Sequence, residues 1–370
     1  MLLMPFLPLV LPMGAARSGE GAGPVEHRIV YFEEGRFAGW PANNGIWSWG
    51  DEIVVGFTCG YYKAKLDGHP IDPDRPSVPR QARSLDGGRT WTIEAPSYLD
   101  ENGRERASQD LSEAIDFSHP DFAARFGGSK FFYSSDRCRT WHGPFQLPDF
   151  DRKGLLARTD YIVNGKHDLM AFIATEKDEG GEGWTCCVRT TNGGKTWELI
   201  GWIGEQPGPG GYSIMPSTLR LSEDALLSII RRRGVEESTK RWWIEGYLSP
   251  DDGRNWYRLA EPTINNHGNP PHMIWLQDGR IALTYGYRAA PYGIRAVISS
   301  DRGKTWGEEI VLRDDGGGWD LGYPRTVQRP DGKCVTVYYF NDNKRVERYI
   351  ACTIWDPGPA LSGCVAVRRP

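Results

Sequence analysis

The sequence predicts an all-β chain folded as a six-bladed β-propeller of four-stranded blades. Three observations predict it. One eight-residue pattern, S/T-x-D/N-x-x-K/R-T/N-W, occurs five times, beginning at Ser84, Ser134, Thr190, Ser249 and Ser299. The copies start 50, 56, 59 and 50 residues apart. The stretches between them read as strands separated by tight turns. A repeat at such a period is one supersecondary unit that buries its face against the next, and four strands per unit is the signature of a propeller blade.

The repeated octapeptide reads as a turn joining the third and fourth strands of a blade. Its Asp, replaced by Asn192 in the third copy, can bond the backbone two residues on, and its glycines accept positive φ. Its Trp begins the next strand and plugs the sheet face. First strands are marked by their exit turns: Trp49-Gly50-Asp51, Asn164-Gly165, Ser222-Glu223-Asp224, Gln277-Asp278-Gly279 and Pro330-Asp331-Gly332. The first strand of the second blade is expected at 116–125. The sixth blade has strands at 323–329, 334–340 and 349–355 but no repeat after them. Residues 27–32 are strand-like and precede the first blade, so they are expected to supply the missing strand and close the ring, which removes exposed edges.

Composition narrows the function. The 370 residues carry a net charge of −4, so no global basic field points to nucleic acid. Seven cysteines are too few and scattered for a disulfide framework. Cys186 and Cys187 point to opposite faces of a strand, and Cys59, Cys334 and Cys352 read as core. No Cys/His spacing resembles a zinc site, and no metal or cofactor is implied. The apolar start, ending in small residues near Gly14-Ala15-Ala16, reads as a signal peptide, with a linker to residue 24. The expected product is a secreted or periplasmic monomer whose single domain spans 25–370. No segment is long enough to span a bilayer.

Propeller geometry puts the repeated turns at the outer rim and makes the channel mouth the place for chemistry. Counting six residues back from aligned exit turns gives Asn44, Arg158, Ser217, His272 and Arg325. Counting ten forward gives Gly60, Ala174, Arg233, Arg288 and Asn341. Arginines converging on one cavity need an anionic partner, and guanidinium suits a carboxylate or sulfate. Asp160 shares the face of Arg158 by strand alternation. Asp67, Asp72, Asp74 and His69 sit in a long loop at 60–79, a candidate lid with groups for proton transfer. Asp116 in the second blade and Asp320 before Gly322 complete the carboxylates. Aromatic residues crowd the same face, among them Trp40, Trp47, Tyr61, Tyr62, Tyr212, Tyr287, Tyr292, Trp319 and Tyr323. They suit stacking on sugar rings, and 39–47 is a candidate site wall.

The repeated turn is similar to the Asp box, or BNR repeat, and through it the chain resembles the sialidase (neuraminidase) superfamily over nearly its whole length. The resemblance implies a glycosidase with a Tyr nucleophile activated by a Glu, an Asp acid/base and three arginines gripping a substrate carboxylate. Residues 321–332 resemble the family's G-Y-S-x-L-x-x-L-x-D-G, which places Tyr323 at the nucleophile. Arg233 and Arg288 match arginines followed by a third strand and an Asp box, and Asp67 or Asp72 falls where the acid/base lies. The family's opening F/Y-R-I-P is replaced by Trp40-Pro41, with Arg36 earlier. Arg220 precedes the middle-blade turn where the activating Glu is sought, and Tyr339 stands for the Glu of the last blade.

Three functions are therefore carried forward. The first is a secreted exo-α-sialidase-like hydrolase of an anionic oligosaccharide or glycoconjugate. Its catalytic candidates are Tyr323, Asp67, Asp72, His272 and Asp116. Its binding candidates are Arg36, Asn44, Arg158, Asp160, Arg233, Arg288, Arg325, Trp40 and Trp47. The second is a uronate-directed polysaccharide lyase using His272, Tyr323 and Arg325. The third is a non-catalytic glycan-binding propeller.

Overall fold

Six antiparallel sheets stand around a central channel as the blades of a β-propeller. The computed structural model describes residues 25–359 apart from Leu66, Glu237 and Ser238, so the expected signal peptide and linker lie outside the described residues. The first blade holds Ile46–Trp49, Glu52–Tyr61, Val78–Ser84 and Thr92–Glu94, with Arg36–Gly39 added beside Glu52–Tyr61. The third, fourth and fifth have four strands each, starting at Tyr161–Gly165, Tyr212–Arg220 and Pro271–Trp275. The sixth runs Gly322–Gln328, Cys334–Asp342 and Arg345–Trp355. Among the described residues the one helix is the single turn Pro41–Asn44.

The ring closes as expected. Glu26–Tyr31 pairs antiparallel with Arg345–Trp355, with His27 opposite Thr353. The last blade is thus completed by the first strand of the chain, and that edge is covered.

The second blade departs from expectation. It has three strands, Ala123–Gly127, Lys130–Ser134 and His142–Gln146. The strand expected at 116–125 starts only at Ala123. Asp116 accepts bonds from the Ser118 N–H and hydroxyl at 3.0 and 2.7 Å. That turn, followed by Pro120, keeps the segment out of a ladder.

Six buried clusters hold the ring together: five join two neighbouring blades, and the sixth runs from the first and last blades to Ala174 of the third and Ile214 of the fourth. Phe57 and Val55 of the first blade meet Val337 and Cys352 of the sixth, for example, and Leu283 of the fifth meets Leu227 and Ile229 of the fourth. Strand alternation puts these β-branched and aromatic side chains on the faces between blades. Each fully buried one contributes about 1.5–3 kcal/mol. The cysteines at 59, 138, 186, 187, 334 and 352 are free and buried within the blades.

The five repeated turns share one hydrogen-bond pattern. The hydroxyl of the first residue accepts the N–H four residues on, at 2.8 Å from Gly88 to Ser84 and 2.9 Å from Gly194 to Thr190. The third residue then accepts the N–H four residues beyond itself. The distances are 2.9 Å from Thr90 to Asp86, 2.8 Å from Thr140 to Asp136 and 3.0 Å from Thr196 to Asn192. The reach is therefore four residues, not the two expected. Both positions between these anchors have positive φ, as in Gly87 (68°) and Gly88 (88°), which is why glycine recurs there. Burial raises the Asp86 carboxyl, but the bonds from Thr90, Ser84 and Arg89 outweigh it and hold it at about 2.

Candidate functional site

The channel mouth gathers its groups from the first, fourth, fifth and sixth blades. In the sixth, Tyr323 precedes Pro324 at the start of the innermost strand. Its φ is +50°, and the ladder with Cys334–Asp342 shifts register between Gly322 and Arg325. The residue before proline is pushed out of the right-handed helical region, and a left-handed tyrosine is strained by about 1–3 kcal/mol. The resulting bulge leaves the Tyr323 hydroxyl accepting a hydrogen bond from Arg231 Nη1 at 2.8 Å.

Arg231 reaches Tyr323 through a matching irregularity. In the fourth blade Met215 has φ +53° before Pro216, and register shifts between Ile214 and Ser217. Arg231 lies opposite Ile214, and Arg233 opposite Tyr212. Both guanidiniums stand over the Tyr212 ring, at 5.1 and 4.4 Å. Arg288 of the fifth blade faces Tyr323 and Trp319 at 5.4 and 5.2 Å. It is anchored by the Tyr339 hydroxyl at 2.7 Å and the Gly268 carbonyl at 3.1 Å.

The loop after the first blade's second strand supplies His69. A Cβ on Gly60 would meet Ile71 at 2.5 Å, so glycine lets the loop fold back on its own strand. Backbone bonds from Lys63 to Pro70 and from Asp72 to Tyr61 then fix it as a hairpin. His69 Nδ1 sits 2.6 Å from Asp320 Oδ1. Its ring packs edge-on to Trp40 at 5.0 Å and to Tyr323 at 6.3 Å.

Asp320 is fully buried and is the hub of the cluster. It also accepts from the Tyr339 hydroxyl at 2.6 Å and from Arg348 Nε at 3.0 Å, with Arg288 at 3.8 Å. Burial raises its pKa, but the His69 bond and the charges of His69 and Arg288 outweigh it and leave the carboxyl below its ordinary value. Burial pushes the Tyr339 hydroxyl well above the usual phenol range. Tyr339 therefore stays protonated and donates to Asp320. Tyr323 is 6% exposed while Trp319 beside it is 39% exposed.

Other expected residues lie elsewhere. Asp67 is exposed on the His69 loop, and Asp72 pairs with Lys63 at 3.1 Å. Asp116 caps its own turn on the side of Lys166, 3.9 Å away. Arg36 stacks on Tyr61 at 3.9 Å. Asn44 is buried, bonding the Trp40 carbonyl and accepting from Arg125. Trp47 bonds the Tyr161 hydroxyl at 3.2 Å and packs on Trp141, so it joins blades instead of walling the mouth. Arg158 pairs with Glu182 at 2.7 Å.

Asp160, His272 and Arg325 are buried inside the channel. His272 Nδ1 accepts the Thr326 N–H at 3.0 Å. Burial, then the Arg325 charge, lowers its pKa well below the imidazole range, so it is a neutral structural acceptor. Of the expected set, the structure brings Tyr323, Arg233, Arg288 and Trp40 to the mouth. It also brings there His69 and Asp320, expected as a proton-transfer candidate and a carboxylate of this face, and adds Arg231, Tyr339 and Arg348.

A buried tyrosine between arginines, beside a carboxylate-held histidine, on a propeller with this repeated turn defines a BNR-type propeller with a cationic, aromatic mouth. The profile of the BNR repeat-like domain matches residues 118–336, more than half of the chain, and the chain belongs to that family. No curated protein matches it. Among solved structures, a protein of unknown function from Dyadobacter fermentans superposes with a TM-score of 0.69 at 22% identity, covering 91% of this chain and 99% of that one. A Trypanosoma rangeli sialidase mutant displaying trans-sialidase activity gives 0.57 at 11% identity, over 91% of this chain and 60% of that one. The α-L-arabinanase of Penicillium chrysogenum gives 0.55 at 14%, over 86% and 96%. At these identities the likeness is one of fold, the sialidase-type propeller.

Proposed function

We propose that this protein cleaves a glycosidic bond in a glycan carrying an anionic group. The observation that carries the reading is the 2.6 Å bond between His69 and Asp320 beside a tyrosine whose hydroxyl is bonded by Arg231. An ionised Asp320 fixes the imidazole and leaves Nε2 to exchange a proton with the sugar. Arg231 and Arg288 stand where they offset negative charge on the Tyr323 oxygen and on a substrate anion. In the hydrolytic sequence, the Tyr323 hydroxyl first gives its proton to solvent; protonated His69 then gives its proton to the leaving oxygen as the Tyr323 oxygen bonds the anomeric carbon and the glycosidic C–O bond breaks. Water then attacks that carbon, gives its proton to His69 and releases Tyr323. Structural neighbours named as a sialidase and an arabinanase support hydrolysis of a glycan on such a propeller. Secretion and monomeric action fit an extracellular glycan substrate and belong to the same proposal.

A second reading is favoured by one observation. Among the described residues the recorded hydrogen-bond partner of the Tyr323 hydroxyl is Arg231, not a carboxylate. In a uronate lyase, an arginine neutralises the uronate carboxylate while one of His69 and Tyr323 takes the C5 proton, the C4–O bond breaks, and the other gives a proton to the departing oxygen. The test is purified protein against aryl glycosides of sialic, glucuronic and galacturonic acid and against uronate polymers, with Tyr323→Phe alongside. Aryl release lost in the variant supports the hydrolase. Near-ultraviolet absorbance from an unsaturated sugar identifies the lyase. No turnover of either class overturns both.

A further inference from the structure

We propose that Asn269 is a positioning residue: its side-chain amide splints the backbone bulge that aims the Tyr323 hydroxyl at Arg231. Its effect on turnover rests on Tyr323 being the reacting group of the proposed hydrolase, whereas its effect on the Tyr323–Arg231 bond does not.

The amide crosses from the fifth blade to the sixth. Asn269 Oδ1 accepts the Tyr323 N–H at 2.8 Å, and its Nδ2 donates to the Leu321 carbonyl at 2.7 Å. These two backbone groups flank Gly322, where the ladder with Cys334–Asp342 shifts register. One side chain thus serves both, as a neighbouring strand would. Turning the amide over would set NH2 against N–H and oxygen against oxygen, so a single orientation fits. A bulge re-aims a side chain, and a left-handed tyrosine persists only where its surroundings over-determine it.

Space for the amide is built in on two sides. A Cβ on Gly286 would meet Asn269 Cγ at 2.6 Å, and one on Gly322 would collide with Nδ2. Gly286 lies within Ile281–Tyr287 and has no positive φ. The close approach of Asn269, not backbone conformation, therefore calls for glycine there.

The turn that carries Asn269 is itself fixed. Asn266 and Asn269 are fully buried. Asn266 Oδ1 accepts the Gly268 and Asn269 N–H groups at 3.2 and 3.3 Å, and its Nδ2 donates to the Asn269 carbonyl at 2.7 Å. Pro270 follows and restricts the backbone of Asn269. Arg288 joins the same unit. Its N–H donates to the Asn266 carbonyl, its Nη1 to the Gly268 carbonyl and its Nε to the Leu321 carbonyl. One turn, 266–269, thus holds both the tyrosine and an arginine that faces it.

The test is NMR of protein whose tyrosines carry 13C at Cζ, the ring carbon that reports what bonds the hydroxyl. The Tyr323 and Tyr338 resonances are assigned by their loss in Tyr323→Phe and Tyr338→Phe. Arg231→Ala gives the Tyr323 position without its arginine donor. In Asn269→Ala, Tyr323 should move most of the way to that position. Tyr338, bonded to Thr353 in the same blade, should stay in place. Asn269→Asp keeps the oxygen that accepts the Tyr323 N–H and should restore the native position. Should Asn269→Ala not fold, Gly286→Ala displaces the amide from its other side and carries the same expectation. A Tyr323 resonance at its native position in either folded variant overturns the proposal. Equal movement of Tyr323 and Tyr338 marks a merely structural residue and overturns it too. With a turned-over substrate, Asn269→Ala should lower kcat by about 10²-fold with far less change in KM, the cost of a displacement of about 1 Å. The resonance is read in the resting protein, so failure of the splint is distinguishable from a mouth that turns nothing over.

Discussion

His69 Nδ1 lies 2.6 Å from Asp320 Oδ1, across the seam where the first blade meets the last. The bond joins a loop near the start of the propeller to a carboxylate 251 residues away, and it ties the site's one histidine to its one fully buried carboxylate. Asp320 also gathers Tyr339 and Arg348, so a single residue orients the acid/base candidate and the wall behind Tyr323.

His69→Gln should lower turnover of any substrate by about 10²–10⁴-fold, the range for losing a general acid or base, with little change in melting temperature. Asp320→Asn should lower turnover similarly but also destabilise the fold by about 3–5 kcal/mol, because it leaves buried cations short of a partner. The Asp320 carboxyl is depressed in the folded state. Its stabilisation is therefore present above the unfolded carboxylate pKa and is lost as pH falls through the lower folded value. Thermal melts of native protein and Asp320→Asn should converge in acid and separate above about pH 4. Parallel curves at all pH values would show that folding leaves the Asp320 carboxyl unshifted.

Arg231 and Arg233 are separable. Arg231 bonds the Tyr323 hydroxyl, whereas Arg233 bonds the Gly210 carbonyl and covers Tyr212. Arg231→Ala should cut kcat/KM by about 10²-fold or more, chiefly in kcat, since its contact is to the reacting oxygen. Arg233→Ala should raise KM by no more than about tenfold with kcat near native. The reverse ranking in steady-state kinetics would move the anion clamp outward to Arg233.

The third repeated turn is the one without a carboxylate. Asn192 accepts the Thr196 N–H at 3.0 Å, and its amide donates to the Thr196 hydroxyl at 2.8 Å. In the first copy the Thr90 hydroxyl instead donates to Asp86 at 2.6 Å. Asn192→Asp lets that hydroxyl rotate and makes the bonds charge-assisted. It should stabilise the protein by about 0.5–1.5 kcal/mol. Asp86→Ala should cost about 2 kcal/mol by leaving the Arg89 and Thr90 N–H groups without their acceptor. Neither change should alter turnover. A loss of activity in Asp86→Ala without loss of folded protein would give the rim a role in function.

The fold was legible because it is periodic. The octapeptide fixed the blade spacing, and strand-like residues before the first blade announced the closure that His27 and Thr353 make. The site was legible only in part, because bulges break the counting. Ten residues forward from an exit turn lands on Arg233, but the register shift at Met215 brings Arg231 to Tyr323 as well. Three consecutive arginines, 231 to 233, were the available signal. His69 was visible as a proton-transfer candidate in its loop, yet nothing local distinguished it from Asp67. The choice is made by Asp320, a contact between the ends of the chain. His272 and Arg325 lie on inner strands and Asp160 just before one, but all three occupy the channel below the mouth where they were expected, and burial, not catalysis, sets their protonation.

That burial has a measurable consequence at Asp160. Removal from water is the largest influence on its carboxyl, and the Arg325 charge only partly offsets it, leaving the pKa at about 7. A carboxyl raised in the folded state binds its proton more tightly there than in the unfolded chain. Between about pH 4 and pH 7 the folded protein therefore holds a proton that the unfolded chain has released. Stability contributed by this group is full below pH 4, declines as pH rises to about 7, and stays level above it. The total loss is on the order of 4 kcal/mol if Asp160 acts alone. Asp160→Asn keeps the shape and cannot ionise, so it should melt close to the native protein near pH 4 and above it near pH 8. Denaturant midpoints at both pH values, with the slope m checked for constancy, measure the difference directly. A variant that is less stable than the native protein at pH 8 would show that the ionised Asp160 earns its place through Arg325, and that the pair is a true ion pair instead of a strained one.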